Sequence, residues 1–147
     1  MGIECFISEE SLRVHKEYLS VLRMKKQACQ TRREEKQIEN EIRSHELYFD
    51  SFRQDCVPCS RIKAGFVSEN HFCFLLSEYI KNVGSGFLYI YPMPHSPFVG
   101  YGIAQKHLLR AVLAIDLCEH AYFIDYGFDF SAYVRAALSH LDFSRLK

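Results

Sequence analysis

Between Ser8 and Asp55 no Gly or Pro interrupts the chain and helix formers dominate, so the first third is predicted to be helical. Apolar side chains recur at Leu12, Val14, Tyr18, Leu19, Leu22 and Met24, the spacing of one helix face. The pattern lapses from Gln27 to Gln37, where only Ala28 and Cys29 are not polar, and resumes with Ile38, Ile42, Leu47, Tyr48 and Phe49. Thr31 with Glu34 three residues on forms a capping box. That predicts a turn near Gln30 between two antiparallel helices; one continuous long helix is the alternative. Ser8 and Ser11, with the acidic pair Glu9 and Glu10, mark the start of the first helix.

Downstream, Phe66 to Lys81 reads as a helix with Phe72, Phe74, Leu75, Leu76, Tyr79 and Ile80 apolar. Asn82 to Gly86 breaks it, and strands are predicted over Phe87 to Tyr91, Phe98 to Ala104 and Leu109 to Asp116, the first two joined by a turn over Pro92 to Pro97. A final helix over Ser131 to Leu141 follows from Tyr133, Val134, Ala137, Leu138 and Leu141. The fold class is α+β: an N-terminal antiparallel helical hairpin, then a small, mainly antiparallel three-stranded sheet with flanking helices. Two segments are expected, a hairpin domain over 1–57 and an α/β domain over 58–147.

Composition narrows the partners. Lysine plus arginine (18) equals aspartate plus glutamate (18), so the whole chain has no electrostatic reason to bind nucleic acid or an anionic membrane. Basic residues do crowd Arg13 to Arg33, as a solvated helix face or an anion-attracting rim. The first ten residues lack a signal-peptide pattern and no apolar run spans a bilayer, which predicts a cytoplasmic address. Phe6 stands where a myristoylation signal needs Ser or Thr. The six cysteines are expected to be reduced thiols, with Cys56 and Cys59 in a linker.

The chemistry concentrates where the apolar run Val112 to Ile115 ends in Asp116 and His120 follows four residues on. A carboxylate and an imidazole so spaced share a direction once the chain turns helical, as two metal ligands would; a capped helix start with a core histidine is the other reading. The hairpin supplies a second constellation. His15 and His45 lie fifteen residues either side of Gln30, so a reversal there sets both imidazoles at one height, about 22 Å from the bend.

The stretch DLCEHAYFIDY, Asp116 to Tyr126, resembles the signature D-x-W-E-H-A-Y-Y of the iron/manganese superoxide dismutases, with Cys118 in the Trp place and Phe123 in that of a Tyr. ISEESLRVH is similar to the family's opening helix, SHELYF to its second, and NVGSGF to its F-G-S-G-W. The resemblance implies that His15, His45, Asp116 and His120 hold one Fe or Mn ion per subunit. Three imidazoles and a carboxylate without thiolate suit those metals. It further implies superoxide as substrate and a homodimer in which Glu119 bonds the partner's ligand histidine, with Tyr48 and Tyr122 beside the site. The family's outer-sphere Gln matches Gln105, with His107 and His95 as rivals; Glu41 occupies the family's other place for it. Its polar gateway falls on Leu19, Arg23 and Phe123, and its anion-guiding Arg on Phe130. Arg23 or Tyr18 is therefore expected to replace the gate. The function implied is superoxide dismutation, an oxidoreductase activity. A non-catalytic structural relative and another non-haem Fe or Mn enzyme handling oxygen or peroxide are the alternatives.

Overall fold

A computed structural model describes residues 2–55, 69–95 and 100–146. After a 3-10 turn at Gly2–Cys5, helix α1 runs Glu9–Gln27 and α2 runs Arg32–Asp50. The reversal between them falls at 28–31, as the lapse in the apolar pattern predicts. Ser8 caps α1 by accepting the Ser11 amide, and Thr31 caps α2 by accepting the Glu34 amide at 3.2 Å. Each cap satisfies an amide that the first helical turn leaves without a partner, so both boundaries are local in origin.

Helix α3 spans Glu69–Val83, two residues beyond the predicted end; the predicted start at Phe66 and the Cys56 to Cys59 linker lie outside the described residues. Leu76 and Ile80 form its buried stripe, while Phe74 is exposed. Gly84 and Gly86 then take left-handed φ values of 82° and 106°, which a Cβ would strain, and turn the chain into β1, Phe87–Pro92. Strand β2 is Tyr101–Ala104 and β3 is Leu113–Asp116. Both pair antiparallel with β1, giving the order β2-β1-β3 and setting Phe87 opposite Asp116.

Strand β3 is shorter than the pattern predicts. His107 adopts φ 68°, Leu108–Arg110 forms a 3-10 turn, and Leu109 stands 78% exposed, so its apolar side chain mimics a strand position that the backbone does not provide. Helix α4 covers Glu119–Tyr126 and α5 covers Phe130–His140. Asp129 caps α5 by accepting the Ala132 amide, which places its start one residue earlier than predicted.

One apolar core draws on both expected segments: Leu12, Leu19, Tyr48 and Phe49 from the hairpin meet Leu88, Ile90, Ile115, Tyr133 and Leu138 from the remainder. Two polar stitches close the seam. The buried Ser51 hydroxyl donates to the Leu47 carbonyl at 2.6 Å and accepts the Ala114 amide at 2.8 Å, satisfying the outer edge of β3. Tyr126 donates to the Phe6 carbonyl, holding α4 to the N-terminal turn.

Removing the Ser51 hydroxyl strands the buried Ala114 amide. Ser51→Ala is expected to lower unfolding free energy by about 1–3 kcal/mol, read by denaturant titration. Ser139→Ala, whose hydroxyl bonds the Arg135 carbonyl at an exposed position, is the control and should change little. Equal midpoints for the two variants would show that the stitch contributes nothing.

Candidate metal centre

Helices α1 and α2 face each other with the His15 and His45 rings 4.9 Å apart, nearly perpendicular. The end of β3 and the first turn of α4 add Asp116 and His120, so four elements converge. Asp116 Oδ2 lies 3.2 Å from His15 Nε2, 3.8 Å from His45 Nε2 and 2.7 Å from His120 Nε2. One donor atom from each of the four residues sits within 4.8 Å of all the others. His15, His45 and Asp116 are buried, whereas the His120 side chain is 29% exposed and gives the group its open side.

Tautomers follow from the anchors. His45 Nδ1–H donates to the Glu41 carbonyl at 2.7 Å, which leaves a lone pair on Nε2 aimed inward, 3.3 Å from His120 Nε2. His15 Nε2 is buried and near Asp116 but misaligned, so it has no hydrogen-bond partner. A buried, orphaned imidazole nitrogen beside a second inward lone pair and a carboxylate is a set of donors short of a cation. Nitrogen and oxygen donors without sulfur match iron or manganese chemistry.

The surroundings hold Asp116 ionised. Burial alone would raise its carboxyl, but the hydrogen bond from His120 and the nearby charge of His120 and His15 outweigh that and keep it well below the usual carboxylate range. Burial lowers His45 to about 4; the Glu41 carbonyl and Asp116 oppose the shift without cancelling it. Cys118 donates its backbone N–H to Asp116 Oδ1 at 2.9 Å. Burial, then the charge of Asp116, pushes its thiol up to about 11. Beneath the carboxylate, Tyr133 donates to the Asp116 carbonyl at 2.6 Å, so Tyr48 must be the donor in the 2.9 Å contact between the two hydroxyls.

Other residues singled out from the sequence fall at various distances from this group. Tyr18 belongs to it: its ring stacks on His120 at 4.9 Å and nears His45 at 5.5 Å, and its hydroxyl donates to Glu41 Oε2 at 3.4 Å. Tyr48 lies under His15, ring centroids 5.5 Å apart, and Tyr122 stacks on Tyr133 at 5.2 Å. Phe87 packs edge-on against His45 at 4.9 Å.

Arg23 pairs instead with Glu46 at 3.3 Å on the outer surface of the hairpin. The Gln105 amide donates to the Ser85 carbonyl at 2.7 Å and touches none of the four residues. His107 contacts Arg110 and Tyr91, and His95 is exposed in the turn after β1. Glu119 is exposed at the start of α4, near half-exposed Phe123; Leu19 is buried in the core and Phe130 rests on Tyr122.

Sequence reasoning missed Tyr133 as a support for the site, taking it only as a core residue of the last helix. The signal available was the hydroxyl itself, since a tyrosine buried in a core needs an acceptor. Ser85 and the Glu41 carbonyl carry no such signal.

Comparison with curated proteins finds no match. Comparison with protein families finds one, described as iron/manganese superoxide dismutases, C-terminal domain, over residues 59–147. That span includes Asp116 and His120 and starts after the hairpin that carries His15 and His45. Because it covers more than half of the sequence and contains the strand-end carboxylate around which the imidazoles gather, the chain belongs to the iron/manganese superoxide dismutase family.

Proposed function

We propose that this chain is a superoxide dismutase, holding one iron or manganese ion per subunit on His15, His45, Asp116 and His120 and acting as a homodimer. The observation that carries the reading is the meeting of those four donors within 4.8 Å around an orphaned buried nitrogen. Those residues would hold the metal, and when bound it would supply the one-electron redox chemistry by which two superoxides and two protons become oxygen and hydrogen peroxide.

The residues of the chain do the rest. The Glu41 carbonyl orients His45, the Cys118 amide orients Asp116, and Tyr133 with Tyr48 fixes the backbone from which Asp116 projects. Tyr18 lies over the two stacked imidazoles with its hydroxyl at the solvent edge, where it can pass a proton inward while its ring limits water. Of the two gate candidates it is favoured over Arg23, which is engaged by Glu46.

Dimerisation is supported by α4. Phe123, Ile124 and the adjoining Phe128 are exposed, Phe123 and Phe128 against each other at 5.5 Å, beside the exposed edge of His120. Among the described residues His120 Nδ1 has no partner. In this reading Glu119 of a second subunit supplies the acceptor.

Single replacements His15→Ala, His45→Ala, Asp116→Asn and His120→Ala should each lose most of the bound iron or manganese by elemental analysis, and superoxide removal with it. Tyr18→Phe should keep the metal and lose turnover, by about a hundredfold or more. Stoichiometric metal in His45→Ala would overturn the ligand set.

Acid should weaken the centre in a defined direction. His45 titrates near 6.5 when unfolded and near 4 when folded, so between those values the unfolded chain binds more protons and stability rises with pH. The melting temperature of the chelator-stripped protein is therefore expected to fall as pH drops from 6.5 to 4. His45→Gln should flatten that slope; an unchanged slope would show that His45 is not the group responsible.

For assembly, Glu119→Ala should weaken the dimer by about 1.5–3 kcal/mol, the worth of a charge-assisted hydrogen bond, and lower metal occupancy in parallel. Light scattering with metal analysis checks both. A monomeric wild type, or a mutant dimer with full metal, refutes the role.

A further inference from the structure

The carboxylate of Asp116 is held asymmetrically. All three imidazoles contact Oδ2, whereas Oδ1 receives the Cys118 amide. Cys118 sits at the N-cap of α4, yet its side chain makes no capping bond. Instead Ser85 donates its hydroxyl to Cys118 Sγ at 3.7 Å, a normal reach for a bond to sulfur. Ser85 is itself pinned, since its carbonyl accepts the Gln105 amide at 2.7 Å and the next carbonyl, Gly86, accepts the Leu117 amide at 2.9 Å. A Cβ on Gly86 would stand 2.8 Å from Gln105 Nε2 and displace that amide, and the residue's φ of 106° disfavours a side chain there.

We infer that Gln105, Ser85 and Cys118 are positioning residues for the metal centre, a chain of contacts from the sheet edge that fixes Asp116 Oδ1 and so aims Oδ2 at the imidazoles. This builds on the proposed metal reading and gives Gln105 a part to play without contact with the site. The chain of contacts accounts for two facts: the Cys118 thiol is spent on the Ser85 turn and not on its own helix, and that turn is tied down from both sides. A cysteine that merely filled space would not require a hydroxyl donor opposite it. Loss of either side chain leaves the Leu117 amide to the Gly86 carbonyl as the remaining hydrogen bond between the 85–86 turn and the start of α4, so the Cys118 amide on Oδ1 is held less firmly.

The test uses Mn(II) alone as the probe, its dissociation constant measured by competition with a chelator for the full chain and for Cys118→Ala, Cys118→Ser, Ser85→Ala and the double variant Ser85→Ala/Cys118→Ala. Removal of an outer partner of a ligand weakens metal binding about 10- to 100-fold, and that is the expected rise for each alanine variant. Cys118→Ser, which keeps an acceptor for Ser85, should stay within a few-fold of wild type. The double variant should lose no more than the worse single, because both substitutions break one connection. Wild-type affinity in the single alanine variants, or losses that add in the double, would overturn the inference while leaving the ligand set intact. A wild-type chain that binds no Mn(II) would instead overturn the metal reading and this inference together.

Discussion

The buried charge of Asp116 is the constraint on which the structure turns. Taking a carboxylate out of water costs several kcal/mol even after relaxation, unless hydrogen bonds and opposite charge replace the lost hydration. Here the replacements come from separate parts of the chain: a backbone amide from the start of α4, an imidazole one helical turn on, and further imidazoles from both helices of the hairpin. The four residues could hold a metal ion, which would complete the sum. The His45 Nε2 lone pair faces a site that already holds a negative charge, and His15 Nε2 has no hydrogen-bond partner. A fold that gathers these groups carries a local cost that a bound metal ion would reduce.

That cost sits on the seam between the hairpin and the sheet, so the site and the tertiary fold are one event. Neither half holds enough donors alone: His15 and His45 precede residue 57, Asp116 and His120 follow it. An ion that binds only when the halves are docked stabilises the docked state by mass action, by about 2.7 kcal/mol at a free concentration one hundred times its dissociation constant. The family match spans only the second half. Its two cluster residues gain their partners from helices whose caps and apolar faces are specified locally.

Much of this was legible before any coordinates. The turn at 28–31, the caps at Ser8 and Thr31 and the meeting of His15 with His45 follow from spacing and side-chain chemistry, because each depends on residues a few positions apart or on symmetry about one bend. What was not legible depends on tertiary placement. Leu109 continues an apolar run but lies on an exposed turn, since His107 leaves the extended conformation just before it. Gln105 and Arg23 carry suitable side chains yet spend them on Ser85 and Glu46, partners 20 and 23 residues away. Nothing in their neighbourhoods foretells those partners.

The altered mouth of the site has its own physical logic. In the family the resemblance points to, polar residues at the positions of Leu19 and Phe123 bond one another across subunits, and here both are apolar. Replacing both partners of a buried hydrogen bond costs far less than replacing one, which leaves an unsatisfied group. Leu19 has gone into the core and Phe123 onto the exposed face of α4, so no polar remnant of that pair is left to satisfy. Beside the cluster the polar groups are instead Tyr18, one turn along α1 from His15, and Glu41 across the hairpin, which bond each other. The Glu41 side chain accepts from the Tyr18 hydroxyl, whose ring lies over His120 and His45. Because the same residue orients His45 through its carbonyl, Glu41 ties Tyr18 and His45 to one turn of α2.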